Sequence, residues 1–209
     1  MKVTYQTLGY AATNTYYLSE GTQMLIIDPC LDPNQDATTL LKPTEGFEVI
    51  GVLLTHGHFD HISGVDVIID AFHCPLYMYH EEIHYLKDMS YNLSNQTPEP
   101  FIINAIPTAI DCEPLQVGPF ECDVIKTAGH TSGSISYVFD DFIFDGDFIF
   151  ERSIGRTDLP TGNMNVMNAS LRSFIQDFGS VDYILYPGHG NPTTLYQEMK
   201  TNPYLKPNM

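Results

Sequence analysis

The segment Thr55-His56-Gly57-His58-Phe59-Asp60-His61 puts three imidazoles and a carboxylate within six residues, directly after an apolar run that reads as a buried strand. Imidazole nitrogens and carboxylate oxygens are ligands for divalent metals. Residues two apart on extended chain point the same way, so His56 and His58 can reach one ion. The turn that follows lets Asp60 and His61 face a second, and Gly57 keeps the loop compact. Three later segments have the same grammar. Residues 124–129 run into His130, 142–146 into Asp147 and 183–188 into His189: an apolar strand, a glycine, then a metal-capable side chain. Binding groups in sheet proteins gather outside the carboxyl ends of strands, so ligands from several strand ends can converge without long loops.

The donor types narrow the chemistry. Structural zinc sites are usually closed, four-coordinate and rich in Cys. This set is all imidazole and carboxylate, and it has enough groups for two ions. Two divalent ions about 3.5–4 Å apart, bridged by an aspartate, leave room for a water. Metals lower the pKa of such a water to roughly 7, which supplies hydroxide at neutral pH. The reading is a hydrolytic site with two divalent ions per chain. Zinc is the first choice, and iron and manganese suit the same donors. A second motif, His80-Glu81-Glu82-Ile83-His84, matches the zinc-protease pattern HExxH. It has no third ligand of its own and leaves the other histidines without purpose, so it reads as a surface helix.

The elements that must position these groups alternate between strands and helices. Strands are expected at Val3 to Leu8, Tyr16 to Ser19, Gln23 to Ile27, Val49 to Leu54, Leu76 to Tyr79, Cys122 to Thr127, Ile135 to Phe139, Phe142 to Phe144 and Tyr183 to Leu185. Helical spacing covers Asp36 to Leu41, His61 to Phe72, Glu81 to Met89, Val166 to Phe178 and Thr194 to Lys200. On the second of these, Ile62, Val65, Ile68 and Ile69 share one face. Ser90 to Pro114 reads as a long loop. The pattern suggests an α/β (α+β) protein with two mixed sheets and helices outside.

With 209 residues, 43% of them hydrophobic and 17% charged, the chain suits a single domain spanning 1–209, or a tight two-lobed unit, with a real core. A net charge of −17 repels phosphate backbones, so nucleic acid is not an expected partner. The four cysteines form no CxxC pair and read as small buried hydrophobes. The N-terminus lacks the apolar core of a signal peptide, and no run reaches the ~20 apolar residues of a membrane span. The expected address is cytoplasmic, with no membrane partner. The oligomeric state is left open.

The residues resemble the metallo-β-lactamase superfamily, and within it the hydroxyacylglutathione hydrolase (glyoxalase II)-like branch. The resemblance runs from Asp28-Pro29 through HxHxDH, Gly129-His130-Thr131, Gly146-Asp147 and Pro187-Gly188-His189-Gly190. Ser153-Ile154-Gly155-Arg156-Thr157-Asp158-Leu159-Pro160 and Asn202-Pro203-Tyr204-Leu205 are similar to that branch in particular. The resemblance implies a four-layer αββα sandwich, the metallo-β-lactamase fold. It implies that His56, His58 and His130 hold one metal, that Asp60, His61 and His189 hold the other, and that Asp147 bridges. Asp28 resembles an aspartate that orients ligands, and Asp60 also orients the hydroxide. The best-known lactamases use a Cys ligand and lack His at the position of His61, so antibiotic hydrolysis is not expected. Full-length glyoxalase II carries a C-terminal helical domain with basic residues that grip glutathione; the branch is expected here without that domain, and the thiol is left open. Glu151-Arg152 departs from the smaller, less acidic pair usual there. The implied activity is hydrolysis of a small-molecule thioester. The alternatives are a mononuclear-iron persulfide dioxygenase, which shares the fold and a similar Gly-Arg-Thr-Asp loop, and a lactonase.

Overall fold

The computed structural model describes residues 1–206. They divide into two compact units, the first made of Met1–Asp111 with residues 116–121, the second of Cys112–Leu115 and Cys122 onwards.

In the first unit, six strands form one mixed sheet in chain order: β1 (Lys2–Leu8), β2 (Thr13–Glu20), β3 (Gln23–Ile27), β4 (Glu48–Leu53), β5 (Leu76–Tyr79) and β6 (Thr108–Ile110). The first three are antiparallel, and β3 to β6 are parallel. Parallel neighbours need crossovers: α1 (Ala37–Leu41) lies between β3 and β4, α2 (Phe59–Ile62) with α3 (Val65–Phe72) between β4 and β5, and 3₁₀ segments between β5 and β6. The near-continuous apolar runs of β3 and β4 are the expected signature of strands covered on both faces. Ile26, Val52, Leu54, Ile62, Val65, Ile68 and Met78 are fully buried in one core.

The single helix expected over 61–72 is interrupted. Gly64 N–H donates to Pro29 O at 2.8 Å, not to the preceding helical turn, and a Cβ at Gly64 would lie 2.9 Å from that same oxygen. The break docks the two helical pieces on the chain just after β3, and Leu31 N–H donates to Ser63 Oγ at 2.9 Å there. The HExxH stretch also differs from expectation. Residues His80–Lys87 form a 3₁₀ helix, and Glu82, Tyr85 and Leu86 on it are buried, so it is not a surface helix. At three residues per turn, positions i and i+4 lie about 120° apart around the axis, and His80 and His84 do not share a face. The long loop expected from Ser90 contains the 3₁₀ turn Ser94–Gln96 and β6.

The second sheet contains β7 (Pro114–Val117), β8 (Phe120–Lys126), β9 (Ile135–Val138) and β10 (Phe142–Gly146). After a two-strand hairpin, β11 (Ile149–Phe150) and β12 (Ser153–Ile154), come β13 (Ile184–Pro187) and β14 (Thr193–Thr194). The sheet order is β14-β13-β10-β9-β8-β7, and the pair β10 with β13 is its parallel element. Helix α4 (Met164–Phe178) lays Met167, Leu171 and Phe174 on the core, together with Ile143, Phe148, Leu185 and Leu195. Its N-cap is the Asn163 carboxamide, which accepts from Asn165 N–H and Val166 N–H. Helix α5 (Leu195–Thr201) and a 3₁₀ turn, Pro203–Leu205, follow.

No described helix is long and apolar enough to cross a membrane. Cys30, Cys74 and Cys122 are buried thiols as expected, whereas Cys112 is exposed.

Candidate functional site

In the first unit, the loop after β4 is built around one carboxylate. Asp28, at the end of β3, takes the Thr55 peptide N–H on Oδ1 at 2.8 Å and the Thr55 hydroxyl on Oδ2 at 2.6 Å. Its Oδ2 also receives His61 Nδ1–H at 2.8 Å. Asp28 has φ 50°, a left-handed conformation that Asp tolerates better than most residues. Thr15 Oγ1–H to Asp28 O at 2.9 Å and Cys30 N–H to Thr15 Oγ1 at 2.8 Å hold it there.

These partners fix the imidazole tautomers. The Thr55 hydroxyl spends its proton on Asp28, so it can only accept from His56, whose Nδ1 lies 3.1 Å away. His56 and His61 therefore carry the proton on Nδ1 and a lone pair on Nε2, the arrangement of a metal-ligating histidine. The rings crowd together, with His56 centroids 4.8 Å from His58 and 4.1 Å from His61. Asp60, on α2, accepts from Thr13 Oγ1 at 2.6 Å, and its Oδ2 lies 3.5 Å from His61 Nε2.

The second unit assembles another set from three strand ends. After β8 the backbone turns at Gly129, φ 141°, where a Cβ would run into the Met167 backbone of α4. Asn163 N–H to Gly129 O at 2.8 Å and Ser170 Oγ–H to Ala128 O at 2.7 Å fasten the loop to that helix. His130 Nδ1–H then donates to Arg156 O at 2.7 Å, which again leaves the lone pair on Nε2. Asp147 follows the left-handed Gly146 at the end of β10, backed by Gly155, where any Cβ would collide with Asp147 O. Its Oδ2 lies 3.3 Å from His130 Nε2 and its Oδ1 lies 3.4 Å from His189 Nε2. His189 follows β13 and meets the Phe150 ring edge-on at 5.8 Å.

Both sets share one electrostatic feature. With the imidazoles neutral, an Nε2 lone pair faces a carboxylate oxygen at 3.5 Å for His61 and 3.3 Å for His130. Two acceptors at that separation repel, and a cation between them turns the repulsion into coordination. The donor sets fit metal ions.

Sequence reading missed three buried acids that frame these residues. Glu82 accepts from Gly57 N–H at 3.0 Å. Asp145 accepts from Ile149 N–H at 3.2 Å, and its burial pushes the carboxyl well above the usual carboxylate range. Glu198 accepts from Arg152 N–H at 2.7 Å, Thr193 Oγ1 at 2.7 Å and Asn202 Nδ2 at 3.0 Å. Asn202 Nδ2 also reaches Ser153 O at 2.8 Å and Phe150 O at 3.2 Å. This cluster clamps the β11–β12 hairpin that follows Asp147, and it makes structural sense of Arg152, held at φ 59°. The one sequence signal for it was the stretch Asn202–Leu205.

The sequence profile of the metallo-β-lactamase superfamily matches residues 8–189. A probable metallo-hydrolase of Streptococcus pyogenes is 35% identical over 98% of this chain and 90% of its own. Among solved structures, the BLEG-1 B3 metallo-β-lactamase superposes with TM-score 0.89 at 35% identity, covering 98% of this chain and 99% of its own. TTHA1623, solved in a di-iron-bound form, superposes with TM-score 0.83 at 27% identity, covering 97% and 100%. The two mixed sheets flanked by helices are the metallo-β-lactamase fold, in a family that binds divalent metals. The chain belongs to the metallo-β-lactamase superfamily.

Proposed function

We propose that the two sets of ligands serve one dinuclear centre that hydrolyses small thioesters in the manner of the glyoxalase II-like branch. His56, His58 and His130 would hold one ion and Asp60, His61 and His189 the other, with Asp147 shared between them. The observation that carries this is the pairing of Nδ1-protonated imidazoles with carboxylates that face their Nε2 lone pairs. Zinc, iron and manganese all suit these donors. The di-iron form of TTHA1623 supports two ions over one.

The metal pair, when bound, supplies Lewis acidity that activates water near neutral pH and stabilises negative charge on the scissile carbonyl oxygen. The protein's own residues supply order. Asp28 locks His61 and, through Thr55, His56 in the ligating tautomer. The Arg156 carbonyl does the same for His130. Asp60, anchored by Thr13, orients the attacking water. A thiolate leaves readily, so no residue is needed as an acid for the leaving group. The branch reading is supported by the location of its two distinctive stretches, since 153–160 contributes the His130 partner and 202–205 begins with the Asn202 clamp.

The test is hydrolysis of lactoylglutathione and of short acyl thioesters by protein loaded with each metal. Rates well above those of an Asp60→Ala variant are expected; equal rates would count decisively against the reading. β-Lactam hydrolysis is a second reading, favoured by the 35% identity to a protein described as a B3 metallo-β-lactamase. That relative weakens the sequence argument against it. Turnover of a chromogenic cephalosporin in the absence of thioesterase activity would select it. One iron per chain with oxygen uptake would select the dioxygenase.

A further inference from the structure

The carboxylate of Glu82 is fully buried and accepts the peptide N–H of Gly57 at 3.0 Å. That amide belongs to the peptide joining His56 to Gly57, so holding it constrains the backbone that carries both imidazoles. The Tyr85 side chain, one 3₁₀ turn further on, occupies the space where any Cβ at Gly57 would sit. Phe59 N–H, the next free amide after His58, is taken by Asn92 O at 2.7 Å. The histidine arm is therefore fixed from one side by the segment 82–92. A neutral acceptor would satisfy the Gly57 amide without the desolvation cost of a buried charge. A carboxylate there can accept the amide and also act electrostatically on a cation held by the neighbouring histidines.

We infer that Glu82 is a positioning residue for the metal-binding arm: it holds the Gly57 peptide so that His56 and His58 point at a common ion, and it adds negative charge beside that ion. The inference rests on the metal centre proposed above and goes beyond it, because the HExxH pattern is thereby given a role in which the glutamate, not the histidines, serves the metal.

The experiment compares the full chain with Glu82→Gln and Glu82→Ala. Cobalt(II) affinity is measured by chelator competition, the ligand-field spectrum of the cobalt form is recorded, and the melting temperature of each metal-free protein is determined. Glutamine can still accept from Gly57 through its carbonyl oxygen but lacks the charge. Affinity is expected to fall roughly 10-fold in Glu82→Gln with a near-native spectrum and an unchanged metal-free melting temperature. In Glu82→Ala it is expected to fall roughly 100-fold with an altered spectrum. Wild-type affinity and spectrum in both variants would overturn the inference. Should Glu82→Ala fail to fold, wild-type affinity in Glu82→Gln would overturn it alone. Wild-type protein that takes up no metal would sink the proposed centre and this role together. Full metal loading without thioesterase activity would reject the proposed substrate and leave this role standing.

Discussion

Asp28 Oδ2 and His61 Nδ1 lie 2.8 Å apart, and the same carboxylate binds both the peptide and the hydroxyl of Thr55. One side chain thus orders a second-metal ligand directly and a first-metal ligand through Thr55 in the proposed centre. Asparagine tolerates the left-handed backbone at this position but offers a single acceptor oxygen. Asp28→Asn is expected to weaken metal binding ~10- to 100-fold. Asp28→Ala adds backbone strain and buried unpaired donors, with a stability loss on the order of 2–4 kcal/mol. Chelator competition and urea denaturation check the two effects; unchanged metal affinity in both variants would contradict the assignment.

Asp147 faces His130 with one oxygen and His189 with the other, at 3.3 and 3.4 Å. A ligand shared by two ions should cost more than a group that only orients ligands. Asp147→Ala is expected to lose bound metal and at least ~100-fold in kcat/KM for thioesters. Elemental analysis beside steady-state kinetics reads both.

Asn202 lies beyond the last proposed ligand, His189, and its carboxamide ties the β11–β12 hairpin to buried Glu198. Asn202→Ala leaves a buried carboxylate and two carbonyls short of a donor. A loss of roughly 2–4 kcal/mol is expected in chemical denaturation. A change under 0.5 kcal/mol, the usual range for surface substitutions, would mean that the clamp contributes little.

Burial pushes the Cys30 and Cys74 thiols from 9.0 up to about 11. Between those values the unfolded chain loses thiol protons while the folded chain keeps them. Their contribution is therefore fully present below pH 9 and declines as pH rises towards about 11. Stability measured across that window should fall, and Cys30→Ser with Cys74→Ser should flatten the slope. At pH 8 a thiol reagent should label exposed Cys112 first, which mass spectrometry of peptides resolves.

Much of the candidate site was legible in the sequence because its proposed ligands lie just after apolar strands, and His56, His58, His130, Asp147 and His189 each neighbour a glycine. Gly129 and Gly146 adopt positive φ, and Gly57 sits under Tyr85, so local sequence carried the geometric constraint itself. The supporting acids were not legible. Glu82 looked like part of an exposed helix because HExxH periodicity assumes α-helical geometry, and only the 3₁₀ winding turns it inward. The break at Gly64 was hidden for a similar reason, since the competing acceptor, Pro29 O, is remote in sequence. Strands β11, β12 and β14 are two residues each and too short to show a period.

The proposed activity needs a pair of metal ions shared by the two ligand sets. Elemental analysis of the protein after metal loading and gel filtration, alongside His56→Ala and His189→Ala, tests it most directly. Two ions per chain are expected in the wild type and fewer in each variant. A wild type that retains no metal, or variants that retain as much as the wild type, would contradict it.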